Sequence, residues 1–205
     1  TLNPDSLFQE GENTTHYSII DKDGNVVSNT YTIGYSFGSG VTIPDTGILL
    51  DNQMNNFAYQ HGNPEVIDRS ASIGNRFEPG KRPMSTMTPI IVFDENNQLK
   101  LITGSPGGAL IPAAVLRVVT GVIDFDLNLG EATMLPRLHK DWPYEYLRLE
   151  KGFSKDTLQI LSSYGHELEE SKTMGSTQSI LISPKGKEGF ADLRRPNAGV
   201  AFQID

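Results

Sequence analysis

The sequence predicts an α+β domain in which helices pack on antiparallel sheet. Three observations predict it: β-rich segments come in pairs around turn residues, the apolar spacing changes to three or four residues after Gly107, and paired β-rich segments return near the end of the chain. This order of strands, helices and strands, with several hairpins, is typical of layered α+β domains. The length of 205 residues suits a single domain.

The first third of the chain contains one strong hairpin signal. Residues 1–13 are polar and carry neither a strand nor a helix period, so we expect an extended leader there. The β-rich runs TTHYSIID and NVVSNTYTI begin at Thr14 and flank the turn residues 22–24. The segment GILLD (47–51) is expected to form a short buried strand, and residues 58–82 a long surface loop.

The middle of the chain predicts a second hairpin followed by helices. PIIVF and LKLITG pair around residues 94–97. An amphipathic helix of about four turns is expected after Gly107, because apolar residues then recur three or four positions apart. These residues are Ile111, Val115, Val118, Val119 and Val122. A short helix is expected over Leu129–Leu135.

The last third predicts a strand, a helix and a final hairpin. The strand is YLRLE, and Ser154 is placed to cap a helix that runs through Tyr164 and ends at Gly165. QSILIS and KEGFAD are joined at residues 184–186 and form the final hairpin.

Composition and motifs exclude several functions. The chain has 17 Lys and Arg against 25 Asp and Glu, a net charge of −8, which argues against nucleic acid or an anionic membrane as partner. It has no Cys and no apolar run as long as a membrane span. The segment GSPGG (104–108) lacks the Lys of a phosphate loop, and there is no G-x-S-x-G elbow. No metal site is expected, because the four histidines are far apart in sequence: His16, His61, His139 and His166.

Two features could carry chemistry. If the first hairpin has the three-residue loop 22–24, Thr14 lies directly opposite Thr32; a two-residue loop would instead pair Thr14 with Ile33. Gly107 and Gly108 open the long helix, where unpaired N–H groups bind an anion or a developing oxyanion. Each feature also has a plain structural interpretation, as β-favouring threonines on an edge and as a tight glycine turn.

Other polar residues are expected to have structural roles. Asp21 and Asp23 suit a turn, and His16 suits a packed position on the strand face of Thr14. Trp142 and Tyr144 are expected to pack near a turn. Arg194 and Arg195 are expected to form a solvated or salt-bridged pair.

Several blocks, in order, resemble the small subunit of the gamma-glutamyltranspeptidase family. They are TTHYSIIDKDGNVVSNTYT, GILLDNQMNNF, KRPMSTMTP, TGSPGGALI and MGSTQSI, and the closing DLRRPNAG is also similar. The resemblance runs from Thr14 to about Arg195.

The resemblance implies an N-terminal-nucleophile hydrolase with a four-layer αββα sandwich, of which this chain supplies the small-subunit part. Such proteins are made as precursors that cut themselves before a threonine, and the two fragments remain together as a heterodimer. The cut would fall between Asn13 and Thr14, so residues 1–13 would end the large-subunit segment and residues 14–205 would form the catalytic small subunit. The chain as written would then be uncut at this bond, unless it joins residues that a cut separates. The freed α-amine of Thr14 would serve as general base for its own hydroxyl, with no cofactor.

The resemblance also implies roles for individual residues. Thr32 would orient the Thr14 hydroxyl, and the N–H groups of Gly107 and Gly108 would form the oxyanion hole. Ser85 and Thr86 stand where the family has a Ser-Ser pair that grips the α-carboxylate of the glutamyl group, together with an arginine from the large subunit. Gln53 matches the family's Glu or Gln near the substrate α-amino group.

Two positions depart from the family pattern. Asn56 replaces the Asp that pairs with the substrate ammonium, and Gly34 replaces an Asn that helps to bind the glutamyl carboxylate. Loss of the carboxylate at Asn56 penalises a glutaryl group less than a gamma-glutamyl group. The expected activity is hydrolysis or transfer at the γ-amide of glutathione-like compounds, and the alternatives are a cephalosporin (glutaryl) acylase and an unprocessed, non-catalytic homologue. The compartment stays open, because any leader would precede the large subunit.

Overall fold

The computed structural model describes residues 13–57, 73–141 and 145–203. The predicted leader up to residue 12, residues 58–72 of the predicted surface loop, Trp142 and Tyr144 lie outside the described residues. The strands are β1 (Thr15–Ile20), β2 (Val26–Tyr31), β3 (Ile90–Phe93), β4 (Leu99–Thr103), β5 (Leu138–His139), β6 (Tyr146–Leu149), β7 (Glu167–Glu170), β8 (Gln178–Ser183) and β9 (Gly186–Ala191). The helices are α1 (Ile111–Ile123), α2 (Leu129–Met134) and α3 (Lys155–Ser163).

The first hairpin has the predicted three-residue loop. β1 and β2 pair antiparallel with Ile20 opposite Val26, and the Asp21 N–H donates to the Asn25 carbonyl at 3.0 Å. The Asp21 carboxylate accepts hydrogen bonds from the backbone N–H groups of Asp23 and Asn25, so the turn role expected for Asp21 is confirmed. Gly24 has φ +87°, the left-handed conformation that such a loop requires.

A four-stranded antiparallel sheet in the order β3-β4-β8-β9 forms the centre of the chain. It contains both of the other predicted hairpins. Helices α1 and α2 cover one face of this sheet. The apolar side chains of the helices and those of the strands point toward each other and form a cluster that is fully or almost fully buried. The cluster consists of Leu101, Val118, Val122, Leu129, Ala132 and Leu181.

The first hairpin packs against β4 and β8, so the described chain has the layers hairpin, sheet and helices. Its contacts with the sheet are largely polar. The Ser18 hydroxyl donates to the Gln178 carbonyl at 2.8 Å, and the Ser28 hydroxyl donates to the Thr103 carbonyl at 3.0 Å. This arrangement is the α+β layering that the sequence predicts.

A smaller sheet, β5-β6-β7, contains the predicted strand β6 and two strands, β5 and β7, that the sequence analysis missed. β6 and β7 are parallel and are joined through α3, whose first turn is capped as expected by the Ser154 hydroxyl accepting from the Thr157 N–H. The β7 segment Glu167–Glu170 has three acidic residues in four and no apolar alternation. It is a strand because β6 supplies hydrogen-bond partners, and local sequence carries no signal of that pairing.

The prediction of a buried strand over residues 47–51 is wrong. The structure has only an isolated bridge between Thr42 and Leu49 in this segment. Ile48 is 56% exposed and Leu50 is 41% exposed. An apolar run forms a buried strand only where another element covers it, and the side chains of Ile48 and Leu50 remain exposed among the described residues.

His16 lies at the centre of the contact between hairpin and sheet. Its Nδ1 is 2.8 Å from the Thr30 Oγ1, and its Nε2 is 3.2 Å from the Ser18 Oγ. The ring packs directly on Gly104, where an added Cβ would lie 2.2 Å from the ring Cε1. Burial lowers the pKa of His16 from 6.5 to about 4, so the imidazole is neutral at pH 7. The packed role expected for this residue agrees with these contacts.

We expect the free energy of unfolding to fall as the pH drops from about 6.5 to about 4. Over that range the unfolded chain binds a proton at His16 and the folded chain does not, so acid favours unfolding, by up to about 3 kcal/mol. Urea unfolding at about pH 7 and about pH 4.5 measures the change, with His16→Gln as the non-titrating control. The wild type should lose more stability between the two pH values than the variant. Equal losses would mean that the His16 pKa in the folded protein is the ordinary one.

Candidate active site

Thr14 and Thr32 meet at the open end of the first hairpin. Thr14 immediately precedes β1 and Thr32 immediately follows β2, and the register that pairs Ile20 with Val26 also sets these two residues opposite each other. The Thr14 hydroxyl donates to the Thr32 Oγ1 at 3.1 Å. The Gly34 N–H donates to the same oxygen at 3.0 Å. The structure thus confirms the predicted register and holds one threonine hydroxyl against another in a fixed orientation.

Gly107 and Gly108 form a turn directly before α1. Gly107 is buried and has φ 138°, a backbone conformation that residues other than glycine rarely adopt. Gly108 begins a short 3₁₀ turn, Gly108–Leu110, that leads into the helix. Neither glycine N–H donates to another of the described residues, so both donors are available to a bound group. Such a pair can bind an anion or stabilise an oxyanion.

Ser85 and Thr86 lie beside this glycine turn. The Thr86 hydroxyl donates to the Gly108 carbonyl at 2.7 Å, which fixes the orientation of the second glycine. The Ser85 oxygen accepts from the Met87 N–H at 3.2 Å, and its side chain is exposed. The Ser85 O–H can therefore donate to a ligand.

Gln53 and Asn56 lie together on one 3₁₀ turn, Gln53–Asn56. The Asn56 Nδ2 donates to the Gln53 Oε1 at 2.7 Å, and both side chains are uncharged. The Asn75 Nδ2 donates to the Asn56 carbonyl at 2.7 Å, while its Oδ1 accepts from the Met84 N–H at 2.9 Å. These bonds connect the Gln53–Asn56 turn to the residue before Ser85.

The same turn is also connected to the two threonines. The Asn52 N–H, one residue before the turn, donates to the Ile33 carbonyl at 2.9 Å. Gly34 packs on Asn52, since an added Cβ would lie 3.3 Å from the Asn52 Cβ. Hydrogen bonds and backbone contacts therefore link all the predicted side chains in one continuous path, from Thr14 to Gly108.

A cavity of about 560 Å³ opens on another side of Thr14. Its walls include Thr14, Pro106 and Arg195, together with the starts of β1 and β8 and the segment 196–201. The side chains expected to bind an acyl group do not line this cavity; they are connected to Thr14 through Thr32. At the cavity wall the Arg195 Nη1 donates to the Thr14 carbonyl at 3.1 Å.

Four charged side chains form a buried network behind this wall. Arg137 pairs with Asp192 at 2.7 Å, and Arg194 pairs with Glu150 at 2.7 Å. Arg194 also contacts the second oxygen of Asp192 at 3.2 Å. Arg137 and Asp192 are almost completely buried, at 1% and 0% exposure. The pairing expected for Arg194 is confirmed, although in a buried network and not at the surface.

The network holds the segment that supports the glycine turn. Glu150 accepts from the Met174 N–H, and Asp192 accepts from the Thr177 N–H at 3.0 Å. Between these two anchors, the Ser176 N–H donates to the Ser105 Oγ at 2.9 Å. The Ser105 hydroxyl in turn donates to the carbonyl of Pro106, the residue before Gly107, at 2.6 Å.

Sequence reasoning missed both the contact of Arg195 with Thr14 and the buried network. The partners of each contact come from distant parts of the chain, and charged residues carry no periodic signal when they are buried in pairs. The sequence shows the Arg-Arg pair within DLRRPNAG but does not indicate which residues the two arginines contact.

Two features are absent from the described residues. No group of three His, Asp or Glu side chains within the described ranges is placed to hold a metal ion. No helix among the residues described is both long enough and apolar enough to cross a membrane.

Comparison with known families gives a match over nearly the whole chain. The family described as gamma-glutamyltranspeptidase matches residues 3–202. The glutathione hydrolase proenzyme of Escherichia coli (strain K12) is 46% identical over 178 residues, which cover 87% of this chain and 30% of that protein. The glutathione hydrolase proenzyme of Pseudomonas sp. (strain A14) is 38% identical over 203 residues, covering 94% of this chain and 35% of that protein. The chain thus spans about a third of the length of these curated relatives.

Solved structures give the same result for the fold. A mutant gamma-glutamyltranspeptidase from Helicobacter pylori matches with a TM-score of 0.79 and 40% identity, covering 88% of this chain and 100% of that chain. The gamma-glutamyltranspeptidase of Pseudomonas nitroreducens complexed with L-DON matches with a TM-score of 0.79 and 35% identity, covering 92% of this chain and 100% of the other. A cephalosporin acylase from Bacillus halodurans matches with a TM-score of 0.75 and 29% identity, covering 93% of this chain and 34% of that chain.

These matches confirm the predicted fold class, an N-terminal-nucleophile hydrolase fold of which this chain forms the small-subunit part. The family model covers nearly every residue, and the relatives align over most of the chain at well above 30% identity. The chain therefore belongs to the gamma-glutamyltranspeptidase family.

Proposed function

We propose that residues 14–205 are the catalytic small subunit of a self-cleaving amidohydrolase that acts on the γ-amide of gamma-glutamyl compounds such as glutathione. Residues 1–13 then end the large-subunit segment, and the cut falls between Asn13 and Thr14. The observation that carries this proposal is the 3.1 Å hydrogen bond from the Thr14 hydroxyl to Thr32 at the start of β1. It supports Thr14 as the nucleophile because a hydroxyl needs a fixed orientation to attack.

Self-cleavage produces the general base. The Thr14 Oγ1 attacks the carbonyl carbon of Asn13, the bond from that carbon to the Thr14 nitrogen breaks, and the nitrogen takes up the hydroxyl proton. Water then hydrolyses the resulting ester, which frees the Asn13 carboxylate and restores the Thr14 hydroxyl. A free α-amine has a pKa near 8 and serves as a base near neutral pH, which a peptide nitrogen cannot do.

Turnover uses the same atoms. The Thr14 amine takes the hydroxyl proton while Oγ1 attacks the γ-amide carbonyl of the substrate, and the N–H groups of Gly107 and Gly108 stabilise the oxyanion. The protonated amine then gives its proton to the leaving amine as the amide bond breaks. Water hydrolyses the acyl-enzyme ester, or an amine acceptor takes the acyl group.

The hydrogen bonds of Ser85 and Thr86 support different tasks for the two residues. The Thr86 hydroxyl is already donated to the Gly108 carbonyl, so Thr86 orients the glycine pair. The Ser85 hydroxyl retains its proton for a ligand, so Ser85 is the better donor to the α-carboxylate of a glutamyl group.

An exposed apolar face supports a large-subunit partner from the same precursor. Tyr17, Ile19, Val27 and Tyr31 share the outer face of the first hairpin and are 44–59% exposed. A contiguous apolar face of this kind marks a surface that another element covers. The relatives are about three times as long as this chain, which leaves room for that element in the remainder of the precursor.

A second candidate is a cephalosporin (glutaryl) acylase, and Asn56 favours it. The Asn56 amide pairs with the Gln53 amide. A substrate ammonium at this site would therefore meet neutral amide oxygens and no carboxylate. Gly34 likewise presents no side chain to the acyl group. The cephalosporin acylase among the structural matches is consistent with this alternative.

We expect the full-length precursor to cut itself before Thr14 and then to release p-nitroaniline from a gamma-glutamyl anilide. Intact-mass measurement after purification detects the cut, and absorbance detects turnover. Thr14→Ala should abolish both. A purified wild-type precursor that stays uncut and inactive would instead identify a non-catalytic homologue.

The same assay with a glutaryl anilide separates the two substrate classes. Asn56→Asp should raise the preference for gamma-glutamyl over glutaryl by about tenfold, because a carboxylate makes a charge-assisted contact with the ammonium. A wild-type preference for glutaryl would assign the protein as an acylase. An unchanged preference in Asn56→Asp would show that Asn56 does not contact this part of the substrate.

We expect Thr32→Val to slow both self-cleavage and kcat by about tenfold or more, since it removes the acceptor of the Thr14 hydroxyl and retains the shape of the side chain. Thr46→Val, at an exposed turn, is the matched control and should behave as the wild type. Melting temperatures of both variants should stay close to that of the wild type. Normal cleavage and turnover in Thr32→Val would refute the orienting role.

A further inference from the structure

Arg195 makes a contact with the nucleophile that the proposed mechanism does not use. Its Nη1 donates to the carbonyl oxygen of Thr14 at 3.1 Å, at the wall of the cavity beside Thr14. The carbonyl oxygen and the amino nitrogen of one residue are separated by no more than about 4 Å. The guanidinium therefore lies close to the nitrogen that becomes the α-amine.

The backbone of Arg195 is held rigidly by its neighbour. Arg194 Nε donates to both oxygens of Glu150 at 3.0 and 3.1 Å. Its two terminal nitrogens donate to the carbonyls of Thr133 and Leu135 at 2.8 and 2.9 Å. With Arg194 fixed in this way, the next residue delivers its side chain from a defined position and loses less entropy when it binds Thr14.

Arg195 also brings a positive charge to the wall of the cavity beside Thr14. The other titratable residues that line the cavity are His16 and Tyr17. His16 is neutral at pH 7 because burial lowers its pKa to about 4, and Tyr17 lies on the outer face of the hairpin. The segments 26–43 and 104–108 contain no Asp, Glu, Lys or Arg.

We propose that Arg195 is a positioning residue for the N-terminal nucleophile: it fixes the backbone of Thr14 through the carbonyl, and its charge keeps the neighbouring α-amine in the free-base form. This inference rests on the proposed function, since only a cut chain has that amine. A fixed cation a few ångströms away disfavours the protonated amine and so makes more base available near neutral pH.

Removing the charge has a defined consequence. Without the cation the protonated amine is less disfavoured, so its pKa rises. The acid limb of the plot of kcat/KM against pH should then move to higher pH by about half a unit to one unit. A purely structural role for Arg195 would lower activity at every pH and would leave the limb in place.

The experiment uses the full-length protein and three variants. Arg195→Gln removes the charge, Arg195→Lys keeps it on a different side-chain shape, and Lys185→Gln removes one charge from the exposed turn between β8 and β9 as a matched control. Intact mass reports the cut, melting temperature reports folding, and kcat/KM is measured from about pH 5 to about pH 9 on whichever anilide the wild type hydrolyses. We expect slower cutting and a raised acid limb in Arg195→Gln, a limb near that of the wild type in Arg195→Lys, and no change in Lys185→Gln.

Two results would overturn the inference. One is an acid limb in Arg195→Gln that coincides with those of the wild type and of Lys185→Gln. The other result is relevant if Arg195→Gln stays uncut or unfolded, because Arg195→Lys then provides the test. This variant keeps the positive charge, so an acid limb that moves to higher pH in Arg195→Lys would contradict the electrostatic role. Either failure is distinct from failure of the proposed function, because Thr14→Ala would still abolish cutting and turnover.

Discussion

The buried network of Arg137, Asp192, Arg194 and Glu150 is the constraint on which the rest of the site depends. Two cations and two anions lie away from water, and such charges are tolerated when each has a partner and most of its remaining donors and acceptors are hydrogen-bonded. Here backbone groups of the segments that surround the site supply most of these bonds, while the Arg137 Nε has no partner among the described residues. The network therefore binds together the residues after α2, the end of β6, the segment before β8 and the end of β9. Loss of one member would leave an unpaired buried charge and several unbonded backbone groups.

Each side of the candidate site is connected to this network by a short path. On one side, Ser176 and Ser105 transmit the position of the anchored segment to the turn at Gly107. On the other side, Arg194 fixes the start of the C-terminal segment, from which Arg195 reaches the Thr14 carbonyl. The proposed nucleophile and the proposed oxyanion donors come from distant parts of the chain, and their common connection to the buried network fixes their relative positions.

The contact between hairpin and sheet is polar where most sheet packing is apolar. Hydroxyls of Ser18 and Ser28 donate to the sheet backbone, and a neutral His16 fills the space over Gly104. Directional hydrogen bonds fix the hairpin in one orientation, whereas apolar side chains alone would allow it to slide. The precise placement of Thr14 against Thr32 follows from this orientation. The outer, apolar face of the same hairpin stays exposed and is the surface proposed above for the large-subunit partner.

Residues close in sequence were sufficient to predict much of the fold and the pairing of Thr14 with Thr32 in the candidate site. The turn at residues 22–24 determined the register, and the register alone placed Thr14 opposite Thr32. The period of α1, the cap at Ser154 and the hairpin turns also depend on residues close in sequence, so the sequence by itself determined them. Only the tertiary structure decided that GILLD stays exposed, that an acidic segment becomes β7, and that Arg195 reaches Thr14. Those outcomes depend on which distant element supplies a hydrogen-bond partner, a cover or a counter-charge, and no local pattern of residues specifies that partner.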